Sequence, residues 1–328
     1  MRSCFARLAM RAATCAFGLL AAGTLSAQVY PDKPIRIVVS FPPGGSTDFS
    51  ARILAQRLPA LLGQSIVVDN RGGAGGNIGN DIVAKAAPDG YTLLVTAEGT
   101  ITINPSVYVK LPYVASRDIT TITQLIKYPN VVVLHPSVPA NSVKELIAYA
   151  KSQPGKLSYS HPGVGTGQQL SVELFKLTVG VDITSVPYKG GGPAMISLVG
   201  NEVQLSFATP PSAMPHVKAG RLRAIAVTSD KRSPAVPELP TISEAAGLPG
   251  FNVEGWVGLF APAKTPGAVI ERLYQETAKV LRMPEVKELA LGVASETVGN
   301  PPREANAVVR DETAMWAKVV KTVGVKIE

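Results

Sequence analysis

Three histidines, one serine in a glycine-rich turn and five loops of Gly, Pro, Ser and Thr are the places where this chain has material for chemistry. His135, His161 and His216 lie far apart, and none has the spacing of a metal ligand set. Ser46 stands in Gly44-Gly45-Ser46-Thr47-Asp48, which lacks the second glycine of a nucleophile elbow. The run Gly72-Gly73-Ala74-Gly75-Gly76-Asn77-Ile78-Gly79 invites a nucleotide reading and fails the dinucleotide fingerprint, because position 78 is Ile where the third glycine belongs. A Walker lysine pattern is likewise missing. Hydrogen-bond donation remains. Loops 41–47, 97–100, 161–167, 187–192 and 208–212 follow β-rich runs, let backbone N–H groups approach a ligand closely, and mostly open helices whose N-termini favour negative charge. Any one such loop also reads as a plain turn; five together point to a cleft that binds by donating many hydrogen bonds. His161 is expected to touch a ligand there, not to act as a general base. Asp48 reads as serving the first turn of its helix and Glu98 as a solvated loop residue, both near the cleft.

The elements that must position these loops repeat one pattern from Pro34 onward: a short β-rich run, a loop, then a stretch with helical spacing. Ile35 to Val39 leads into a helix with Phe49, Ile53, Leu54, Leu58 and Leu61 on one side and Ser46 or Thr47 as N-cap. Ile66 to Val68 and Tyr91 to Thr96 follow as strands. After Asn130 the pattern restarts at Val131, with a capping box of Ser142 and Glu145 opening a further helix and Pro193 placed as a helix N1 proline. Near Phe251 to Phe260 it changes to an extended run followed by three helical stretches. This predicts an α/β protein of two lobes, each a mostly parallel sheet flanked by helices, with the ligand cleft outside the carboxyl ends of the strands. One lobe comprises residues 28–129 and 253–328, the inserted lobe comprises 130–252, and the crossings near 129 and 253 form a hinge.

Residues 1–27 have the layout of a signal peptide: Arg2, Arg7 and Arg11, an apolar run from Ala12 to Ala22, then small residues up to Ala27, with no acidic residue. That apolar run is too short to span a bilayer. Its removal takes both cysteines, Cys4 and Cys15, so the exported chain is expected to have neither disulfide nor thiol nucleophile. Three of the 32 basic residues and none of the 24 acidic ones go with it, leaving a modest positive balance that favours capture of anions. Lys and Arg are spread without aromatic interleaving, so a nucleic-acid role finds no support. Neither a cofactor nor a metal is expected.

Tyr30-Pro31-Asp32-Lys33-Pro34-Ile35, Phe41-Pro42-Pro43-Gly44-Gly45, Gly75-Gly76-Asn77-Ile78-Gly79, Ala84 to Leu93, Gly163-Val164-Gly165-Thr166 and Pro187-Tyr188-Lys189-Gly190-Gly191 occur in this order. Together they resemble the extracytoplasmic solute receptors of the tripartite tricarboxylate transporters, also called the Bug family. The resemblance implies a periplasmic binding protein of the two-lobed, type II-like fold that closes on a small organic anion and delivers it to a membrane permease of one large and one small subunit. A monomer without chemistry of its own is expected. Carried over by position, the ligand-binding residues are Phe41, Pro43, Gly44, Gly45, Ser46 and Thr47 in the first loop, Gly99 and Thr100 in the second, and His161, Gly165, Thr166, Tyr188, Gly190 and Thr209 in the inserted lobe. Many relatives have an Asp after the strand ending at Phe207, where this chain has Ala208-Thr209. That difference favours a di- or tricarboxylate or an aromatic acid over an amino acid. A ligand sensor for a membrane kinase is the alternative the sequence leaves open, and a hydrolase using Ser46 or His161 is a third.

Overall fold

The computed structural model describes residues 30–324, and the signal-peptide reading of 1–27, with Cys4 and Cys15, lies outside them. In chain order the elements are β1 (Ile35–Val39), α1 (Ser46–Leu62), β2 (Ile66–Asn70), α2 (Asn77–Ala84), β3 (Thr92–Ala97), α3 (Glu98–Thr102), α4 (Asn104–Val107), α5 (Ala115–Asp118), β4 (Ile119–Pro129) and β5 (Val131–Leu134). Then come α6 (Val143–Ser152), β6 (Ser158–His161), α7 (Gly167–Val179), β7 (Thr184–Pro187), α8 (Gly191–Val199), β8 (Leu205–Ala208), α9 (Pro210–Lys218), β9 (Arg223–Val227) and α10 (Ile242–Ala246). The chain ends with β10 (Glu254–Pro262), α11 (Gly267–Arg282), α12 (Pro284–Leu291), β11 (Glu296–Thr297) and α13 (Pro302–Val323).

Two sheets flanked by helices result, one of order β11-β4-β10-β3-β1-β2 and one of order β7-β6-β8-β5-β9. Position in the sheet follows sequence. β1, all Ile, Val and one Arg, is buried along nearly its whole length between β2 and β3, whereas β2 at the edge leaves Val67 half exposed. Each sheet is mixed. The strands that alternate with helices, β1 to β3 and β6 to β8, pair in parallel as expected. β10 lies antiparallel between β3 and β4, and β5 antiparallel between β8 and β9. The reason is the route of the chain: it passes from the first sheet to the second at Asn130, directly between β4 and β5, and returns between β9 and β10. No helix turns it round at the first passage, so those strands do not inherit the β–helix–β direction. At these passages Asn130 N–H donates to Thr228 Oγ1 (2.8 Å), Thr228 N–H donates to Asn130 O (3.0 Å) and Val253 N–H donates to Thr228 O (2.9 Å), stitching both passages together.

α1 buries Ile53, Leu54, Leu58 and Leu62 and stops at Gly63 in the left-handed region, whose N–H returns to Pro59 O. Its N-cap is Gly45, not Ser46 or Thr47: Ser46 shares a hydrogen bond with the Tyr128 hydroxyl (3.1 Å), and Asp48 reaches back instead to accept from Gly44 N–H (3.2 Å). The Ser142 cap is present, with Glu145 Oε2 accepting from Asn141 N–H. Pro193 falls on the third residue of α8, because that helix starts at Gly191.

The core of the second sheet, around Tyr159, Phe175 and Phe207, continues into Ile103 and Val107 beside the first sheet and into Trp316 and Val320 of α13. An apolar seam therefore joins the two halves. Each of these large side chains contributes about 1.5 to 3 kcal/mol by leaving water.

Candidate functional site

Four helices of eight or more residues begin at one small cavity. Gly45, Ser46 and Thr47 open α1, Gln168 lies in the first turn of α7, Gly191 opens α8 and Thr209 caps α9; together with Phe41, Ala97 and Pro162 they line a space of about 30 Å³. A second space of about 10 Å³ shares Pro162, Gln168, Gly191 and Thr209 and extends toward Met195, Ser206 and Ser212 in the inserted half. Such volumes hold about a water molecule each, so the two halves are closed on each other.

The first-turn N–H groups of a helix have no acceptor inside it. α6 and α10 meet part of that need with Ser142 and Thr241 side chains, but α1, α7, α8 and α9 have no side-chain cap. Thr166, the N-cap of α7, turns its hydroxyl to Gly163 O (2.7 Å) instead. α9 starts Pro210-Pro211, which have no N–H to offer, and contributes paired hydroxyls, Thr209 Oγ1 and Ser212 Oγ at 2.9 Å. No Lys, Arg, His, Asp or Glu is among the described residues lining either space. The arrangement is a seat of backbone and hydroxyl donors with the positive ends of helix dipoles around it, suited to an anion held without a counter-charge.

The loops are held from below. Asp48 accepts from Arg52 Nε (2.9 Å) and from Asn70 Nδ2 (3.2 Å), and the same Asn70 amide donates to Phe41 O (2.9 Å), which sets the entry to α1. Glycines let the halves meet backbone to backbone. A methyl placed on Gly99 would lie 3.1 Å from Gly165 O, one on Gly192 would lie 2.9 Å from Pro43 O, and one on Gly75 would lie 2.5 Å from Val164 O. Tyr108 Oη donates across the same line to Val164 O (3.3 Å).

Of the residues expected from sequence, Phe41, Gly45, Ser46, Thr47 and Thr209 line the cavity; Pro43, Gly44, Gly99, Gly165 and Gly190 stand at the line of contact between the halves. Thr100 is buried, with its hydroxyl at Thr96 Oγ1 (2.7 Å) and Ala97 O (3.0 Å). Tyr188 points its hydroxyl toward Glu202 (3.2 Å) on the outer side. His161 ends β6 instead of lying in a loop, buried, with Nδ1 at Gly163 O (2.8 Å) and Nε2 at Ser185 Oγ (3.0 Å); burial lowers its pKa to about 4, opposed by the Gly163 carbonyl, so it is neutral. It shapes the loop that presents Pro162 and is absent from the cavity lining, and its hydrogen bonds do not reach Ser46. Ala97, Pro162, Gly191 and Ser212 lie in the loops 97–100, 161–167, 187–192 and 208–212 expected at the cleft but were not named as ligand residues; Gln168 alone falls outside those loops, and its place in the first turn directly after loop 161–167 is the signal that could have found it.

Glu98 is not solvated. Its side chain is buried, Oε2 accepts from Trp256 N–H (3.2 Å), and burial, with the nearby charge of Glu312, pushes its pKa up to about 8. Glu312, also raised by burial, to about 7, takes the Trp256 indole N–H on both oxygens (2.9 and 2.8 Å). A mostly neutral Glu98 puts little negative charge beside the donor seat at neutral pH.

A two-lobed α/β fold with a donor-lined cleft at helix N-termini defines a solute-binding protein. The chain matches the tripartite tricarboxylate transporter family receptor over residues 50–325, and it belongs to that family of periplasmic receptors. It is 37% identical to Protein BugT of Bordetella pertussis, over 94% of each chain. Among solved structures it is similar to R. palustris Rpa4515 with adipate (38% identity, 90% of this chain and 99% of that one, TM-score 0.88). It is also similar to MatC from Rhodopseudomonas palustris with bound malate (32% identity, 89% and 100%, TM-score 0.83). Among the described residues no helix is long and apolar enough to cross a membrane.

Proposed function

We propose that this receptor captures a small organic acid, a di- or tricarboxylate or an aromatic acid, and hands it to a membrane permease of one large and one small subunit, acting as a monomer. The observation that carries the reading is the convergence of the uncapped starts of α1, α7 and α8 on one uncharged cavity between two sheets. One carboxylate would take the N–H groups of these turns, with Phe41, Pro43, Gly44 and Thr47 on one side and Gly165, Thr166 and Gly190 on the other. Thr209 and Ser212, where an acid would repel, suit a neutral or anionic distal group. Adipate and malate in two relatives agree with that choice. The closed cavity admits no such ligand without parting, so capture requires opening about the passages near 129 and 253.

A thermal-shift screen against mono-, di- and tricarboxylates, aromatic acids and amino acids tests this. At a hundredfold excess over Kd a ligand adds about 2.7 kcal/mol to the folded state, a rise of about 4 °C for a chain of this size. A shift with one class of acid supports the reading. Folded protein that shifts with no acid, and releases none on denaturation in a mass spectrum, refutes it.

A further inference from the structure

A cavity of about 580 Å³ lies away from the cleft, between the segment carrying α3 to α5, the strands β4 and β10, and one face of α13. Its size falls in the range of small-molecule sites. The walls are apolar, with Ile101, Leu111, Val114, Ile119, Phe260 and Val309. Arg310 is the one residue of charged type among the described residues lining it, and no acidic side chain is among them. Arg310 pairs with its exposed sequence neighbour Asp311 (2.9 Å), and its own side chain is exposed, which leaves the guanidinium open to a second anion.

We propose that this cavity is a second ligand site, for an apolar monocarboxylate, whose occupancy is felt at cleft closure. The chain length goes against the apolar walls and the carboxylate goes to Arg310 at the rim. Two structural links run from the site to the cleft. Tyr108 lines the cavity with its side chain while its hydroxyl bonds Val164 O in the inserted half (3.3 Å). On α13 the lining residues Asn306, Val309 and Thr313 continue at helical spacing into Trp316 and Val320, which enter the core of the second sheet. A ligand that shifts Tyr108 or this helix therefore changes the balance between open and closed forms.

Calorimetric titration of the purified protein with octanoate tests the site, using Gly165→Val to obstruct the cleft. Octanoate is expected to bind both the wild type and Gly165→Val, the second with a Kd changed by the factor that links the site to closure. Thr313→Trp, which fills the cavity from a half-buried helix position, is expected to weaken it more than tenfold. The exposed substitution Arg310→Gln should cost about two- to fivefold, the scale of a solvent-exposed ion pair, and octylamine should not bind. Absence of octanoate binding, or binding lost in Gly165→Val and unchanged in Thr313→Trp, overturns the site. Saturating octanoate should shift the Kd of the cleft acid in the wild type and do so less in Tyr108→Phe; an unshifted Kd in the wild type overturns the coupling.

Discussion

Gly167→Ala should weaken ligand binding while leaving the fold at least as stable. Gly167 is the first residue of α7 and has no left-handed backbone, so alanine adds no strain there and slightly favours the helix. The added methyl would lie 2.4 Å from Glu98 Oε1, which follows β3 of the other sheet. Glu98 cannot swing aside freely, because it is buried and holds Trp256 N–H. The clash exists only when the halves are shut. Overpacking of this kind costs about 1 to 3 kcal/mol, all charged to the closed form, which is roughly a 5- to 150-fold rise in Kd at 1.4 kcal/mol per decade. Calorimetry with the acid that emerges from the screen measures it, and urea midpoints without ligand measure stability. Glu98→Ala in the same chain should restore part of the loss, because it makes room for the methyl. Equal Kd in wild type and Gly167→Ala would refute the reasoning that ligand is held with α7 against Glu98.

Glu98 has a folded pKa above its unfolded value, so its contribution is fully present below pH 4.5 and is lost as pH rises through about 8. At about 1.4 kcal/mol per unit this is roughly 4 to 5 kcal/mol, so Glu98→Gln should gain stability over wild type between pH 5 and 8.5 in urea titrations; parallel profiles would count against a buried, mostly neutral acid. His161 runs the other way: lowered from 6.5 to about 4, it contributes stability present above pH 6.5 and lost as pH falls through 4, about 3 kcal/mol that His161→Gln should remove from the acid limb. Gly44→Val and Gly165→Val should each abolish binding, since both glycines have positive φ (94° and 81°) and the Gly165 methyl position is 2.3 Å from Asn104 Oδ1; retained affinity in both would move the site elsewhere.

The parallel strands were legible because hydrophobic runs, Gly-rich loops and amphipathic stretches alternate, and each loop was correctly set at a strand's carboxyl end. The longest strand, β4, was not: Ile119 to Pro129 mixes Thr and apolar residues without a turn signal, and it leads into β5 with Asn130 alone between them. Its strand character is fixed by β10, which arrives more than a hundred residues later and covers it along its length. Glu98 was misjudged for the same reason. Its neighbours in sequence, Ala97 and Gly99, are those of a loop, whereas the groups that act on its carboxyl, Trp256 N–H and the charge of Glu312, come from the far end of the chain. His161 illustrates a third limit: a histidine beside a Gly-rich loop looks available for a ligand until Ser185, on the next strand, takes its second nitrogen.

The use of neutral donors in the cleft follows from what a receptor must do. A buried Arg or Lys facing the ligand would be a charge already desolvated whenever the halves closed empty, at a cost of several kcal/mol, and would hold the closed form back until an anion arrived. It would also grip a bound carboxylate tightly. Backbone N–H groups at helix starts are weaker partners, each worth about a kcal/mol net. Ser46, Gln168 and Gly191 come from three different helices, and Ser46 lies in the half opposite the other two. On the proposed function, parting the halves would split this donor set, so opening about the passages at Asn130 and Val253 would release the acid without a competing ion.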